Sequence, residues 1–552
     1  MPWLFLAGAI VWAFLLRTPL VLNARTHLDS DLAVDGLTLL EAVQGHWRWH
    51  YPGTPFSGIL PVLLSWPQAM IWGATPETLV SGGVLAHLAL LVAVFVLADR
   101  CYGRRAAIAS LVPLTFASTG MIWLSGRITG GHLLVTAWSA AAWLLLCEVL
   151  RRGSLPAIMA LGVWSGLGLY IDSMFLMTLG GMGVAGLVAW ASSALARTRP
   201  TASGSGGGAV SFLVKVLALV LAFAAGVAPR HLGSRLEPYD AYRDQMAVSL
   251  EPDSVVAHAR LLLGDCLPRL IAGHRLPNLE ADPDPRLLGL DAPVRPGRTP
   301  GVRPSAVVLL TTTLSLLLFA GSLLVLAMAA VGSPDPVRRA VSSGLLASSV
   351  ALTIGFVINR NIFNADNYRY LVLLLVPWAV GFGVLFDRCW QANRLSCSLA
   401  TAAAIGMAIL FTADAVAWYR QLGWIDDQLR PVRRPLEEPA LAWLAEHGDV
   451  TSILGGYWDV YRLSFLTGGA VRGIPFAVFP NRFPEWSRGL TEGRPEILLA
   501  RQTREGRHFL ETALREGGEV LFRRGGLTIV RWPWPEGDRR EGPGRRAQNE
   551  AR

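Results

Sequence analysis

The chain has 552 residues, of which 52% are hydrophobic and 16% are charged. Since a soluble domain averages about 25% charged residues, this composition argues against a soluble protein and indicates a polytopic membrane protein. The formal net charge of +9 does not indicate a nucleic-acid partner, because the arginines between apolar segments cluster in short loops predicted to face the cytoplasm. The five cysteines form no CxxC pair and predict no intrachain disulfide.

The first apolar run, residues 2–22, is long enough to cross a bilayer and is not followed by an A-x-A-like cleavage site, so we interpret it as an uncleaved anchor. Residues 24–76 then form the first outer loop. Within this loop, residues 33–45 have the pattern of an amphipathic helix at the interface. Residues 56–73 are apolar but carry two prolines, and counting them as a crossing would put the next arginine cluster outside. They therefore predict a re-entrant or interfacial segment.

Further crossings follow from the rule that about 20 apolar residues span a bilayer and that arginine-rich loops stay inside. They are predicted at residues 77–98, 106–124, 132–150, 155–171, 174–196, 211–228, 305–331, 340–358, 370–386 and 397–417. A second outer loop covers residues 229–304. With the first run included, the sequence predicts about eleven transmembrane helices and a C-terminus on the outer side.

The domain organisation follows from this count. We expect a transmembrane domain over residues 1–418 and a small extracytoplasmic α/β or α+β domain over residues 419–536, where strand-like and helix-like runs alternate. The charged, glycine-rich residues 537–552 predict a disordered tail. The predicted inner loops are short, whereas both long loops and the C-terminal domain are predicted on the outer side. The protein is therefore expected to work on its outer face.

Two aspartates, Asp29 and Asp31, follow the first crossing directly, where the chain leaves the membrane. A carboxylate held at such a place can act as a general base. The alternative is that these acids only mark the water side of the first helix. The spacing by itself leaves both interpretations open.

A second group of candidates lies at other predicted outer ends. Arg127 opens the loop SGRITGGH, which His132 closes. Glycines let backbone N–H groups approach an anion, and an arginine can bind phosphate with two hydrogen bonds; the alternative is a short hairpin with Arg127 among the lipid headgroups. Asp172 ends the fifth crossing and is either a site residue or an exposed helix end, since a carboxylate is costly at membrane depth.

The outer turn at residues 359–370 is denser in polar groups and suits a phosphate-and-sugar site. Its candidate residues are Arg360, Asp366, Tyr368 and Arg369. The alternative is an interfacial tyrosine belt with snorkelling arginines. Tyr51 and Tyr457, each in an aromatic run, could also contact a sugar or lipid, or belong to the headgroup belt and to the core of the small domain, respectively.

The histidines do not predict a metal centre. His27, His46, His50 and His132 could meet, but no tight spacing with carboxylates supplies a third ligand. We expect no cofactor, and a divalent metal stays open as an alternative.

Four passages, and the order in which they follow one another, resemble the integral-membrane glycosyltransferases of the GT-C superfamily. The resemblance is strongest to the bacterial family 39 and RgtA/B/C/D-like group, which is related to protein mannosyltransferases and the aminoarabinose transferase. The four passages are Asp29-Ser30-Asp31, the segment at residues 52–73, Arg127 with Gly130-Gly131, and Tyr368-Arg369-Tyr370-Leu371. The passage at residues 456–466 looks like the start of these enzymes' outer C-terminal region.

The resemblance implies transfer of a sugar from a polyprenyl-phosphate donor to a lipid, glycan or protein acceptor. The reaction would take place on the extracytoplasmic face of the plasma membrane, the inner membrane in bacteria. It places an acidic residue of the first outer loop at the reaction centre, which here is Asp31 or Asp29. Relatives commonly have Asp-Glu there, and this chain has Leu32 in place of the glutamate, so the resemblance does not choose between the two aspartates.

Two other functions fit the composition. A transporter or flippase of lipid-linked glycans would be expected to show internal repeats and charges at the membrane midplane, which the sequence lacks. A non-catalytic relative would tolerate changes at the outer carboxylates.

Overall fold

The computed structural model describes residues 2–197, 208–241, 248–273, 306–436, 438–476, 481–488, 496–502, 504–524 and 526–532. Within these ranges, nine helices are long and apolar enough to cross a membrane, and a tenth crossing results if one bent pair of segments counts as a single span. The protein is therefore a multi-pass α-helical membrane protein, as the composition predicts.

The helices of the membrane domain and its loops are, in chain order, α1 (Pro2–Leu22), α2 (Ser30–Val43), α3 (Leu60–Leu63), α4 (Trp66–Trp72), α5 (Pro76–Tyr102), α6 (Arg104–Ser110), α7 (Val112–Thr115), α8 (Thr119–Ser125), α9 (His132–Arg152), α10 (Leu155–Ile171), α11 (Phe175–Arg197), α12 (Gly208–Leu236), α13 (Pro252–Leu261), α14 (Leu267–Ala272), α15 (Ala306–Gly332), α16 (Pro336–Ile358), α17 (Leu375–Ala392) and α18 (Arg394–Gln421). Short 3₁₀ segments cover Thr129–Gly131 and Ala365–Leu374, and a π-helical turn covers Leu262–Cys266. Nine of the predicted crossings correspond to the nine long helices.

The other two predicted crossings differ from a full span. The one at residues 106–124 is broken, and its parts Arg104–Thr115 and Thr119–Ser125 meet at an angle of 83°. The second part starts afresh because the Ser118 hydroxyl caps it by accepting a hydrogen bond from the backbone N–H of Met121. The crossing at residues 155–171 is the shorter helix α10.

Helix α2 is buried, whereas the sequence predicts an interfacial helix at residues 33–45. It packs against a helix of the C-terminal domain, Tyr457–Leu466, which covers the side that faces away from the membrane helices. Gly36 makes this close packing possible, because any side chain there would overlap the ring of Phe465. Helix α2 thus lies between the two domains and not on the bilayer surface.

The segment at residues 56–73 does not span the membrane. It forms strand β2, which pairs with β1 in a short antiparallel hairpin, and then helices α3 and α4. The hairpin strands are His50–Tyr51 and Thr54–Gly58. Helix α4 leaves Met70, Ile71 and Trp72 exposed, which is typical of a helix at a membrane interface.

The C-terminal domain is a mixed α/β layer. Its strands are β3 (Ser452–Gly455), β4 (Arg472–Pro475), β5 (Glu496–Arg501), β6 (Glu519–Arg524) and β7 (Leu527–Trp532), and its helices are α19 (Pro439–Glu446), α20 (Tyr457–Leu466), α21 (Pro484–Arg488) and α22 (Arg504–Arg515). The strand order is β4-β3-β5-β7-β6, parallel from β4 to β5 and antiparallel beyond. The predicted tail at residues 537–552 and residues 274–304 of the second loop lie outside the described residues.

Candidate active site

The N-terminus of α2 is the meeting point of the membrane domain and the C-terminal domain, and each of its two aspartates faces a different partner. Asp29 is the N-cap of α2 and accepts a hydrogen bond of 2.9 Å from the backbone N–H of Leu32. Its second carboxylate oxygen forms an ion pair with Arg127. Both oxygens of Asp29 are therefore engaged.

Arg127 lies where the sequence predicts an anion-binding loop. Gly130 and Gly131 follow it with φ of 66° and 64°, a backbone conformation that side chains with a Cβ atom rarely adopt. The guanidinium group also lies 4.4 Å from the ring centroid of Trp123. Burial acts to lower the pKa of Arg127, but the Asp29 carboxylate outweighs burial and holds this pKa above its usual value.

Asp31 faces the C-terminal domain with one of its carboxylate oxygens. Oδ1 accepts a hydrogen bond of 2.6 Å from the hydroxyl of Tyr457, and Nη2 of Arg482 lies 3.7 Å from it. The hydroxyl of Tyr51 donates to the backbone carbonyl of Asp31 over 2.7 Å. Within the described part of the chain, Oδ2 of Asp31 accepts no hydrogen bond, and the side chain is 18% exposed. One carboxylate oxygen is thus held and the other is open.

Arg482 also contacts this cluster, although the sequence did not indicate it. Its side chain is only 6% exposed, and its Nε donates to the hydroxyl oxygen of Tyr457 over 3.2 Å. Its Nη1 donates to the carbonyl oxygen of Pro52, and the guanidinium lies 5.1 Å from the ring centroid of Tyr51. No motif contains this arginine, so only the tertiary structure could reveal it.

Arg369 is a second half-buried cation near Asp31. It contacts Tyr370, with Nη2 3.5 Å from the tyrosine hydroxyl and the guanidinium 5.3 Å from the ring centroid. Its Nε is buried without a hydrogen-bond partner, and among the described residues no carboxylate pairs with it. The Asp31 carboxylate interacts electrostatically with both Arg369 and Arg127, which brings these three charges into one site.

His132 lies beside this group, as its place at the end of the Arg127 loop suggests. The rings of His132 and Tyr370 meet edge to face, with centroids 5.6 Å apart. Nδ1 of His132 is buried and has no hydrogen-bond partner in the described chain. The end of the Arg127 loop therefore meets the 3₁₀ segment that precedes α17.

The remaining candidates of the 359–370 turn point elsewhere. Tyr368 is buried and donates to the carbonyl oxygen of Gly120 over 2.9 Å. Asp366 forms an ion pair of 2.6 Å with Arg269, whose guanidinium covers the Tyr368 ring. Arg360 is exposed, and in the described ranges it forms no hydrogen bond or ion pair. These three side chains serve local packing or face solvent.

Asp172 is buried at the end of α10 and does not contact the residues around Asp31 directly. It accepts a hydrogen bond of 2.6 Å from the backbone N–H of Met174, and its backbone pairs with Ser57 of the hairpin. Burial raises the pKa of this carboxyl group to about 7. The structure therefore makes Asp172 a buried titratable group and not an exposed helix end.

The histidines give no arrangement for a metal in the described residues. No group of three or more His, Cys, Asp or Glu side chains in those ranges could hold a metal ion. His27 instead packs between the rings of Trp123 and Trp424 at 5.2 and 5.4 Å, and burial lowers its pKa to about 4. The imidazole is therefore neutral at pH 7.

The arrangement has a definite chemical capacity. An open carboxylate oxygen on Asp31 can accept a proton from a hydroxyl group. Arg369 and Arg127 can stabilise negative charge that develops on a neighbouring group, and buried cations do so more strongly than exposed ones. Proton abstraction and stabilisation of a leaving anion are the two needs of a transfer from a phosphate ester.

Comparison with known structures identifies the fold. Crystal structures of ArnT from Cupriavidus metallidurans, one in the apo state and one bound to undecaprenyl phosphate, each give a TM-score of 0.56 at 13% sequence identity. Each match covers 96% of this chain and 97% of ArnT. The apo oligosaccharyltransferase of Archaeoglobus fulgidus gives a TM-score of 0.49 at 14% identity, over 91% of this chain and 69% of its own.

The sequence alone finds no relatives: no protein-family model matches it, and no curated protein is significantly similar to it. The chain nevertheless has the fold of ArnT, which is a GT-C fold. The predicted GT-C fold is therefore confirmed, along nearly the whole length of the chain.

Proposed function

We propose that this protein is a membrane glycosyltransferase, which moves a sugar from a polyprenyl-phosphate donor to an acceptor hydroxyl with Asp31 as the general base. The single observation that carries the proposal is the open Oδ2 of Asp31, in a carboxylate whose other oxygen is held by Tyr457 and which interacts with the cations Arg369 and Arg127. The shared fold with ArnT supports this reaction class.

Asp31 suits the role of base better than Asp29 does. A general base needs an acceptor oxygen within reach of the proton that it removes. Both oxygens of Asp29 already interact, one with the N-terminus of α2 and one with Arg127. Asp29 is better suited to begin the helix and to orient Arg127, while Asp31 keeps one oxygen for the acceptor.

Arg369 is our first candidate for binding the donor phosphate. It is half-buried and forms no ion pair with a described carboxylate, so an anion would gain from binding there. Arg127 would join it, and its side chain also lines a small apolar crevice together with Pro61 and Leu134. One of the ArnT structures contains undecaprenyl phosphate, and a lipid phosphate of this class is the donor that we propose.

In the proposed reaction, the acceptor oxygen attacks the anomeric carbon of the donor sugar. The new bond between that carbon and the acceptor oxygen forms while the bond from the carbon to the phosphate oxygen breaks. The hydroxyl proton passes to Oδ2 of Asp31, and the polyprenyl phosphate leaves with the additional negative charge. Arg369 and Arg127 stabilise that charge as it develops.

The remaining parts of the proposal concern substrate and location. The transferred group would be a hexose or a pentose, and the acceptor a lipid, a glycan or a protein. We propose that the site lies on the extracytoplasmic face of a plasma membrane, the inner membrane in a bacterium, since the arginine-rich short loops are expected to face the cytoplasm. A transporter or flippase of lipid-linked glycans is the alternative from another functional class.

The test uses purified protein in nanodiscs, incubated with a panel of radiolabelled polyprenyl-phosphate sugars and a membrane extract as the source of acceptors. We expect loss of label from one donor and its appearance on an acceptor, and no transfer by the Asp31→Asn variant. Folded protein that binds a lipid-linked sugar without cleaving any donor would contradict the proposal. Movement of an intact fluorescent donor across a vesicle membrane would then identify a flippase.

A further inference from the structure

Four charged side chains of the described residues form a cluster in the C-terminal domain, away from the two aspartates. Glu438 accepts a hydrogen bond of 2.6 Å from Nη1 of Arg462 and lies 3.1 Å from Nη2 of Arg501. Arg501 also donates from Nε to Asp459 over 2.6 Å. With two carboxylates and two guanidinium groups, the cluster has no net charge.

The cluster is buried at its centre. The side chain of Glu438 is only 4% exposed, and that of Arg462 is 10% exposed. A buried ion pair contributes little to stability relative to apolar residues of the same volume, but it fixes the relative geometry of the groups that it joins. We therefore ask which part of the fold this cluster orients.

The element that it orients is the first turn of α20. Asp459 and Arg462 both belong to this helix, whereas Glu438 precedes α19 and Arg501 ends β5. Tyr457 is the first residue of the same helix, two residues before Asp459. The cluster thus connects the start of α20 to two other elements of the domain.

Tyr457 is in turn held on the side of α2. Its backbone carbonyl accepts a hydrogen bond of 2.6 Å from the hydroxyl of Ser30, which is completely buried. Its side-chain hydroxyl donates to Oδ1 of Asp31. Any rotation or shift of the first turn of α20 would therefore be transmitted to the Asp31 carboxylate.

We propose that Glu438, Arg501 and Asp459 are positioning residues, which fix Tyr457 so that its hydroxyl orients the Asp31 carboxylate. This inference rests on the proposed function, in which Asp31 is the general base. It makes the charge cluster of the C-terminal domain a determinant of turnover and not of donor binding, since the proposed donor-binding cations belong to the membrane domain. Misplacement of a catalytic group by about 1 Å can cost up to about 10²-fold in rate.

The test has a readout that does not depend on activity. 3-Fluorotyrosine is incorporated at position 457 of the full-length protein in nanodiscs, and its ¹⁹F resonance is recorded for the otherwise unchanged chain and for Glu438→Gln, Asp459→Asn and Asp31→Asn. Asp459→Asn is included because its side chain is 16% exposed, at the edge of the cluster, and its loss should destabilise the fold less than that of Glu438. Glu519→Gln is the matched control, since Glu519 is 67% exposed and pairs with Arg531 in the same domain.

We expect Asp31→Asn, Glu438→Gln and Asp459→Asn all to shift or broaden the resonance, and Glu519→Gln to leave it unchanged. In the transfer assay, Glu438→Gln and Asp459→Asn should lower kcat by up to about 10-fold, no more than Tyr457→Phe does, with the donor KM nearly unchanged. The double variant Glu438→Gln/Tyr457→Phe should be no slower than Tyr457→Phe alone, because both changes act through the same hydroxyl.

The inference is overturned if folded Asp459→Asn and Glu438→Gln give the unchanged resonance, or if their effects on kcat add to that of Tyr457→Phe. Failure of the proposed function looks different: no donor is cleaved by the unmodified protein, while the resonance at position 457 still responds to Asp31→Asn and Glu438→Gln. In that case the coupling between the charge cluster and Tyr457 is confirmed, but it has no role in catalysis.

Discussion

The hydroxyl of Tyr457 donates a hydrogen bond of 2.6 Å to Oδ1 of Asp31, although 426 positions separate the two residues in the sequence. Asp31 belongs to the loop after the first membrane helix, and Tyr457 to the first turn of a helix in the C-terminal domain. The candidate site is therefore built by both domains. Neither domain alone would hold the carboxylate in the geometry described above.

Tyr457→Phe tests the value of this hydrogen bond. The change removes the donor and keeps the ring, so we expect a drop in kcat of about 10-fold, a fraction of the 10²–10⁴ that a general base contributes. The hydroxyl also accepts a hydrogen bond from Arg482, so the loss of both hydrogen bonds should lower the free energy of unfolding by about 2 kcal/mol. Steady-state transfer kinetics and thermal unfolding in detergent measure the two effects.

Tyr102→Phe is the matched control for that change. The Tyr102 hydroxyl is also buried and lies 2.7 Å from the hydroxyl of Ser342, but far along α5 from the two aspartates. Tyr102→Phe should lower the free energy of unfolding by about 1 kcal/mol and leave kcat unchanged. Equal kcat values for Tyr457→Phe and the unmodified protein would show that the hydroxyl does not assist Asp31.

The two arginines of the 359–370 turn should behave differently. Arg369→Gln removes a half-buried cation that forms no ion pair with a described carboxylate, so we expect the KM for the polyprenyl-phosphate donor to rise by about 10-fold or more, as is typical for the loss of a charged hydrogen bond. Arg360→Gln removes an exposed charge without described partners, and its effect should be within about twofold. Equal effects of the two changes on the donor KM would rule out Arg369 as the phosphate-binding residue.

The buried carboxyl group of Asp172 predicts a pH dependence of stability. Its pKa in the folded protein is about 7, against an ordinary value of 3.8. Between these values the folded state binds more protons than the unfolded state, so the free energy of unfolding falls as pH rises towards 7 and levels off above it. Asp172→Asn lacks this titration and should gain in Tm over the unmodified protein on going from pH 5 to pH 8.

Thermal unfolding in detergent at both pH values measures this gain, and Asp253→Asn, at an exposed position of α13, is the control. The control should keep the same Tm difference from the unmodified protein at pH 5 and pH 8. The account of Asp172 fails if the Tm difference for Asp172→Asn also stays constant between the two pH values.

The sequence predicted most of the membrane helices, because the length of an apolar run is a local property. It did not predict the break at Ser118, since the residues on both sides are apolar enough for one continuous span. Helix α2 was expected at the interface because its amphipathic pattern indicates one buried side. The sequence could not reveal that α20, from the other end of the chain, covers the second side.

The same contrast between local sequence features and contacts across the fold applies to the candidate site. Asp29, Asp31 and Arg127 were identifiable because each lies next to a predicted helix end or a glycine pair. Arg482 was missed because nothing in its neighbourhood marks it, and its role depends on contacts with Tyr457 and Tyr51 across the fold. Tyr368 and Asp366 shared the pattern of Arg369, and only the contacts with Gly120 and Arg269 separate them.

The most direct measurement compares kcat for Asp31→Asn and Asp29→Asn with the donor that the panel identifies. Asparagine keeps the shape of each side chain, and at Asp29 it still caps α2. We predict that Asp31→Asn lowers kcat by about 10²–10⁴-fold. Asp29→Asn, which leaves the proposed base in place, should lower kcat far less and act mainly on the donor KM through Arg127. Full turnover by Asp31→Asn, or loss of turnover in Asp29→Asn alone, would contradict the assignment of Asp31 as the base.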